Sequence, residues 1–508
     1  MKHTKSRTKK AFRNSFIALV SQFVSLICGF ILPRLILTTF GSEYNGITSS
    51  ISQFIECIVL LRAGVGSVTR ASLYKPLATG DNDQINGIIN ATQKFMRRIS
   101  LIFAGGLFVF ACIYPFAVSD EFDWFFSFSL VLILGINVFA QNYFGITYQI
   151  LIEADQKNFI YTLISIASTI LNTIVAVILI NAGAGIHIVK LGSAIVFTLN
   201  PLVLYLYAKK TYKLDSSVPA NNDAISQRWD AFAQQVATFV TNNTDIVVLT
   251  LFSNLKEVSV YTVYYMIAGK LTNLVQTVTN GIDAAFGNIL AKKENEALQT
   301  NFRLYEQLVF SVATFAFGCA MILIEPFVSV YTKGVSDVNY SRVIFGFLMC
   351  LNQLFYCIRL PYQMITNAAG HFKQTRNGAI FEALMNIIIS VVLVIEYGLI
   401  GVTIGTLFAY VFRTIQYATY SSRNILNRNI IVFVKLLCIS LIEIGVTYFL
   451  VFVLEKMRFM PVVNSYISWG IRAVITAILH FCVIAVFSII FYYRQTRQLI
   501  RKIKSVFV

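Results

Sequence analysis

The sequence predicts an all-α, polytopic membrane protein with about 14 transmembrane helices. Only 13% of its 508 residues are charged and its mean hydropathy is +0.69, whereas a soluble protein is about 25% charged. Apolar runs of roughly 20 residues, each long enough to cross about 30 Å of hydrocarbon, recur from end to end. Basic residues are concentrated in alternate connections between these runs, which is typical of a multi-pass topology.

The apolar runs place the starts of the spans. The first span follows a basic N-terminal segment and lacks the cleavage pattern of a signal peptide, so we expect it to be retained. Two further segments, Asp81–Arg98 and the basic tail, are amphipathic and are predicted to lie along the inner leaflet. The predicted spans begin near Ala11, Gly46, Phe95, Trp124, Asn158, Ile186, Ala231, Val258, Leu304, Arg342, Asn377, Leu399, Ile430 and Ser465.

The distribution of basic residues orients these spans. With a cytoplasmic N-terminus, roughly 28 Lys and Arg fall on the cytoplasmic side and roughly five on the other side. This asymmetry predicts that both termini are cytoplasmic. It also accounts for most of the net charge of +17, so the sequence gives no reason to expect nucleic-acid binding.

The chain repeats itself at an offset of roughly 214 residues. Tyr148 pairs with Tyr362 and Asn172 with Asn386, at matching places in the fourth-to-sixth and tenth-to-twelfth spans. Because an even number of spans separates the repeats, two six-helix lobes of like orientation are predicted, related by a pseudo-twofold axis and facing each other across a substrate cleft. The predicted organisation is an N-lobe 1–210, a C-lobe 211–428, and two extra helices with a basic tail at 429–508.

Five short segments carry a resemblance to a known family. They are Phe40–Gly46, Thr241–Asp245, Asn367–Lys373, the pair Glu382 and Asn386, and the helix junction Gly398–Gly405. In these segments the chain resembles the polysaccharide transporter family, the Wzx-type flippases of the MATE-like multidrug/oligosaccharidyl-lipid/polysaccharide (MOP) superfamily. That resemblance implies transport of undecaprenyl-diphosphate-linked repeat units across the cytoplasmic (inner) membrane of a bacterium, for capsule, exopolysaccharide or a related glycan.

Charged residues inside the spans are the candidate site residues. A charge costs at least about 2.5 kcal/mol inside a membrane helix and therefore usually faces protein or an aqueous cavity. Arg62, Lys270 and Arg359 are predicted to bind an anionic substrate, with pairing to a neighbouring acid as the alternative. For Arg34 and Arg413 the alternative is snorkelling to the interface. Arg62 also departs from the resemblance, because relatives usually carry an acid just before the glycine that ends the second span.

Three polar residues have a second predicted role. Asp245, Asn242 and Glu382 are candidates either for binding a coupling ion or for structural hydrogen bonds between helices. No catalytic, metal-binding or cofactor-binding pattern is found, because the four histidines are scattered and no nucleotide-binding loop is present. We therefore expect a non-enzymatic protein without a cofactor.

The predicted function is a flippase that moves lipid-linked oligosaccharide from the inner to the outer leaflet by alternating access. A lipid II flippase and a MATE-type drug or cation antiporter are the alternatives, and a membrane glycan polymerase is a weaker one. The expected partners are the polyprenyl-diphosphate-linked substrate, membrane lipids and other glycan-assembly membrane proteins. The last two spans are predicted either to form a groove for the polyprenyl tail or simply to pack.

Overall fold

The computed structural model describes the backbone of residues 2–59, 65–223, 243–279, 286–287, 289–290, 292 and 294–507. Side chains are described for these residues except 2–16, 19, 67, 278–279, 372–373, 494, 496 and 499–507. Within the described part of the chain the regular structure is helical. The helices are α1 Lys2–Phe40, α2 Ser42–Val59, α3 Val65–Thr79, α4 Asn82–Ala117, α5 Trp124–Ala140, α6 Ile146–Ala154, α7 Asn158–Asn181, α8 Ile186–Thr211, α9 Asn243–Phe252, α10 Leu255–Thr279, α11 Asn295–Tyr331, α12 Val343–Ile358, α13 Leu360–Ala368, α14 Phe372–Asn424, α15 Ile431–Lys456 and α16 Tyr466–Phe507.

This architecture confirms the predicted fold class. Ten stretches of the described chain are long and apolar enough to cross a membrane. Apart from the one near Ala231, the predicted starts of the spans fall within or near helices. The starts near Asn377 and Leu399 both lie in α14. The start near Ala231 lies outside the described residues. The protein is thus a multi-pass membrane protein.

The segment Asp81–Arg98 differs from its prediction. The Asp81 side chain caps α4 by accepting a hydrogen bond from the Gln84 amide, at 3.0 Å. From there α4 continues without a break to Ala117. Ile85 and Ile88 are buried in an apolar cluster with Leu73 of α3. This segment is therefore the N-terminal part of α4 and not a separate helix, and its apolar face packs on protein.

The internal repeat is visible in the helix boundaries. A five-residue π-helical turn, Gln141–Gly145, separates α5 from α6. In the second half of the chain, Arg359 separates α12 from α13. The helix α13 matches α6 residue for residue at the spacing predicted from the sequence, and the start of α14 matches that of α7. Tyr148 and Tyr362 occupy equivalent, buried positions in α6 and α13.

The chain divides into two compact units, Met1–Ser259 and Val260–Val508. In the first unit, α2, α4 and α5 enclose a core that contains Ile47, Ile51 and Phe103. The predicted lobe boundaries at 210/211 and 428/429 stay predictions.

In the second unit α11 is the most buried spanning helix, and α12, α15 and α16 pack on it. The C-terminal pair is fixed there by polar contacts as well as apolar ones. The Tyr448 hydroxyl donates to the Met321 carbonyl at 2.7 Å, and His480 Nε2 lies 3.0 Å from the Thr314 carbonyl. Both α15 and α16 are therefore integral parts of this unit.

Candidate functional site

Two arginines and one glutamate form a buried charge cluster in the second unit. Arg359 Nη1 lies 2.6 Å from Glu382 Oε1, and Arg413 Nε lies 3.3 Å from Glu382 Oε2. The three residues are 6%, 4% and 5% exposed. We call Arg359, Glu382 and Arg413 the arginine cluster. With all three ionised it carries one more positive than negative charge inside an apolar protein.

A sharp break in α14 brings Glu382 and Arg413 together. Gly398, midway between them in the sequence, has φ +52° and ψ −126°, a backbone conformation that side-chain-bearing residues avoid. The helix folds back at this residue into two arms. Hydrogen bonds cross between the arms, from Asn386 Nδ2 to Thr406 Oγ1 at 3.1 Å and from Ser390 Oγ to the Val402 carbonyl at 3.3 Å.

Close packing of the two arms explains the spaced glycines of the Gly398–Gly405 junction. A Cβ at Gly401 would lie 2.2 Å from the Leu393 carbonyl oxygen, and one at Gly405 would lie 2.2 Å from Ser390 Oγ. Side chains at either position would separate the arms. The sequence motif therefore builds the hairpin that holds the cluster together.

Gly401→Ala is accordingly expected to destabilise the protein by about 1–3 kcal/mol, the usual range for an overpacked core. The clash is with backbone atoms, which cannot rotate away. Thermal unfolding of the detergent-solubilised protein measures the effect. Gly445→Ala in α15 is the matched control, because a Cβ there meets nothing within 4 Å, and helix propensity favours alanine by up to about 1 kcal/mol. Equal unfolding temperatures for the two variants would contradict this packing.

The two arginines of the cluster differ in how fully they are bonded. Arg413 also donates to the Thr375 carbonyl and to the Tyr417 hydroxyl, each at 2.9 Å. Arg359 instead stacks on aromatic rings, with its guanidinium carbon 4.4 Å from the ring centre of Tyr356 and 5.0 Å from that of Tyr410. Its buried Nε has no hydrogen-bond partner among the described residues. Arg359 therefore has one buried N–H donor without a partner in the described part of the chain, and its pairing with Glu382 is the alternative predicted for it from the sequence.

A second buried network was not predicted from the sequence. Glu306 on α11 is fully buried. It accepts hydrogen bonds from the Tyr362 hydroxyl and from both terminal nitrogens of Arg428, one of them at 2.8 Å. The network ties α11 to α13 and to the connection after α14. The sequence does not indicate this pair, because Arg428 and Glu306 lie more than a hundred residues apart.

Arg428→Ala is expected to cost about 3–5 kcal/mol of stability, because it leaves the Glu306 carboxylate buried without its cation. Arg423→Ala, which removes an exposed arginine from the same end of α14, is expected to change stability by less than about 0.5 kcal/mol. Unfolding of both purified variants in detergent provides the comparison. Equal stability would show that the Glu306 network does not anchor these helices.

Two other predicted cations lie on other helices. Lys270 is half-buried on α10 in the second unit, and among the described residues no carboxylate forms an ion pair with it. Arg34 is half-buried on α1, directly after Pro33, in the first unit. Arg62 and Asn242 lie outside the described residues. The structure thus brings together Arg359, Arg413 and Glu382 out of the predicted set.

Around Asp245 the neighbouring polar residues bond between helices of the first unit. Asp245 is buried on α9. Thr250 Oγ1 on the same helix donates to Ser50 Oγ at 2.9 Å, and Gln53 Nε2 donates to Asn243 Oδ1 at 2.5 Å. These contacts join α9 to α2.

A cavity of about 260 Å³ in the first unit contains a further embedded cation. Lys190 on α8 lines it, together with Glu56, Asn137 and Asn172. The Oδ1 atoms of both asparagines are buried without hydrogen-bond partners in the described part of the chain. Lys190 is absent from the residues predicted from the sequence, although a lysine five residues into an apolar run is a recognisable signal.

Comparison with known proteins gives the fold a class. No protein-family model and no curated protein matches the sequence. Among solved structures, the lipid II flippase MurJ in an inward closed conformation matches with a TM-score of 0.71 at 15% identity, over 96% of this chain and 99% of that one. An inward-facing MATE-family multidrug resistance transporter of the MOP superfamily matches with a TM-score of 0.53 at 14% identity, over 79% and 95%. A eukaryotic MATE transporter matches with a TM-score of 0.57 at 13% identity, over 81% and 95%.

The chain therefore has the fold of the MOP-superfamily transporters. Within that fold it matches the flippase over nearly its whole length, whereas about a fifth of it lies outside the match to either MATE structure.

Proposed function

We propose that this protein is a flippase that moves polyprenyl-diphosphate-linked oligosaccharides from the inner to the outer leaflet of a bacterial cytoplasmic membrane, for capsule, exopolysaccharide or a related surface glycan. On this proposal it is a transporter and not an enzyme. Both termini lie in the cytoplasm, in agreement with the distribution of basic residues.

The observation that carries the proposal is the arginine cluster. A diphosphate bound to a sugar is anionic and strongly hydrated, so its passage requires cations and hydrogen-bond donors that replace its water. Arg359 offers both, because Glu382 is shared with Arg413 and the Arg359 Nε has no partner among the described residues. A cationic drug would meet repulsion at such a site.

Other embedded cations complete the proposed binding set. Lys270 is the first of these, since no described carboxylate pairs with it. Arg34 and Arg62 are proposed to contact the substrate as well, on the basis of their places in the apolar spans. Asp245 and Glu382 are proposed to have structural roles, because the contacts around them join helices.

The extent of the match to MurJ favours a lipid-linked substrate over a drug. The match to MurJ covers about 15% more of this chain than the matches to the MATE structures do, a length close to that of α15 and α16. We propose that these helices, which pack on α11, form a groove for the polyprenyl tail. The same observation favours lipid II as a second candidate substrate, since lipid II carries the same type of diphosphate-polyprenyl end.

Depletion of the protein in its own host tests the proposal. Accumulation of an undecaprenyl-diphosphate oligosaccharide with an unchanged lipid II pool is the expected result, with re-expression of the wild-type chain restoring the normal pool. Accumulation of lipid II alone would favour the second candidate. Normal pools of both lipids, together with altered drug susceptibility, would contradict flipping and favour an antiporter.

A further inference from the structure

A second pocket lies in the first unit. Its volume is about 460 Å³, and it is bounded by the first half of α4, the end of α8 and the connection that follows α8. The polar part of its lining includes Asn90, Gln93, Arg97, Lys209 and Asp215. The distribution of basic residues places this end of the unit on the cytoplasmic side.

The pocket is electropositive. Arg97 lies over the ring of Tyr143 at 5.4 Å, and Lys209 lies over the ring of Tyr205 at 5.9 Å. Neither cation forms an ion pair with a carboxylate in the described part of the chain. The acid of the pocket is Asp215, whose pKa is held below its usual range by the hydrogen bond from the Ser217 amide. Two cations therefore face one carboxylate.

Hydrogen bonds hold the pocket in shape. Asn90 Nδ2 donates to the carbonyls of Asp215 and Val218, both at 2.9 Å, and fixes the connection after α8 against α4. Gln93 Nε2 donates to the Tyr148 hydroxyl at 3.0 Å. The cations are therefore presented by a preformed wall, and an anion can bind there without ordering a loop first.

An apolar stripe continues from the pocket along α8. Ile195, Leu199, Leu202 and Leu206 follow one another at helical spacing and are 58%, 44%, 40% and 62% exposed. Leu202 also lines the pocket, as does the exposed ring of Phe144. From Leu202 to Ile195 the stripe extends about 10 Å toward the middle of the span. A free phosphate would make no favourable contact with this apolar surface, whereas an acyl chain can pack along it.

We propose that this pocket binds the phosphate-bearing headgroup of an anionic phospholipid of the inner leaflet, between Arg97 and Lys209, with an acyl chain on the α8 stripe. Basic pockets between membrane helices on the cytoplasmic side bind anionic lipids by this chemistry. The site is independent of the transported substrate, and lipid bound there would fix α4 to α8.

Native mass spectrometry of the purified full-length protein, titrated with phosphatidylglycerol, tests the site. The double variant Arg97→Ala/Lys209→Ala is compared with Arg98→Ala/Lys210→Ala, which removes the adjacent exposed cations that do not line the pocket. Each basic residue contributes about a factor of five to binding an anionic lipid, so about 25-fold weaker binding is expected for the first variant. The second variant and wild-type protein titrated with phosphatidylcholine are the controls.

Equal phosphatidylglycerol binding by the two double variants would overturn the site. Displacement of the lipid from wild-type protein by millimolar inorganic phosphate would show a free-anion site and would overturn the lipid assignment. Cross-linking of photoactivatable phosphatidylglycerol to the wild-type protein is a second test, which does not depend on the folding of any variant. Cross-links are expected in the α8 peptide that contains Leu202 and Tyr205, and cross-links confined to other helices would contradict the proposal.

Discussion

Replacing Glu382 by glutamine is expected to lower the stability of the folded protein by about 3–5 kcal/mol, because removal of one member of a buried ion pair leaves its partner uncompensated. Here two guanidinium groups lose their shared acid, and all three residues are at most 6% exposed. The unfolding temperature in detergent and the yield of monodisperse protein report the loss. Glu396→Gln is the control, since Glu396 is exposed on the same arm of α14.

A compensating variant separates charge balance from loss of a contact. Glu382→Gln/Arg359→Gln restores the cluster's single excess positive charge, so it is expected to recover part of the stability lost in Glu382→Gln. The double variant is not expected to recover export, because it lacks the Arg359 guanidinium that is proposed to bind the diphosphate. If Glu382→Gln unfolds at the same temperature as Glu396→Gln, the cluster is not held together by its charges.

Arg359→Ala is expected to reduce export of the lipid-linked oligosaccharide at least about 10-fold, which corresponds to about 1.4 kcal/mol, while the protein still folds. Folding is preserved because Glu382 keeps Arg413 as a partner, at 3.3 Å. Export falls because the donor and charge that replace water around the diphosphate are lost. Surface glycan per cell, divided by the amount of protein in the membrane, measures the effect.

The matched control is Arg423→Ala, which removes an exposed arginine outside the cluster and is expected to leave export unchanged. Lys270→Ala is expected to behave like Arg359→Ala, since Lys270 is proposed to bind the same group. Normal export by Arg359→Ala at normal abundance would reject the cluster as a substrate site.

The fold could be predicted from the sequence because membrane spans are encoded locally. A run of apolar residues must cross the hydrocarbon as a helix in order to satisfy its own backbone, so the starts near Trp124, Asn158 and Ile186 agree with the observed helices. The internal repeat was likewise visible, through Tyr148 and Tyr362. The segment Asp81–Arg98 was misassigned because amphipathicity does not distinguish a face that packs on lipid from one that packs on Leu73.

The candidate site was only partly predictable. Embedded charges such as Arg359 and Glu382 stand out in an apolar chain, but their pairing depends on how α14 folds back at Gly398. The sequence indicates a helix junction at Gly398, but it does not give the distance between the two arms of α14. The bond between Glu306 and Arg428 could not be predicted either, because it also depends on how the helices pack. In the sequence each residue is an ordinary charge near the end of a span.

Reconstitution of the purified protein in liposomes tests the central claim most directly. The liposomes contain a polyprenyl-diphosphate oligosaccharide with a fluorescent sugar in both leaflets. A membrane-impermeant quencher is added outside, and the fraction of fluorescence that it removes measures the lipid whose sugar is exposed outside. We predict that wild-type protein makes the lumenal pool accessible, that Arg423→Ala does so equally, and that Arg359→Ala does so at least about 10-fold more slowly. If the wild-type protein exposes the lumenal pool no faster than protein-free liposomes do, the protein does not flip this lipid.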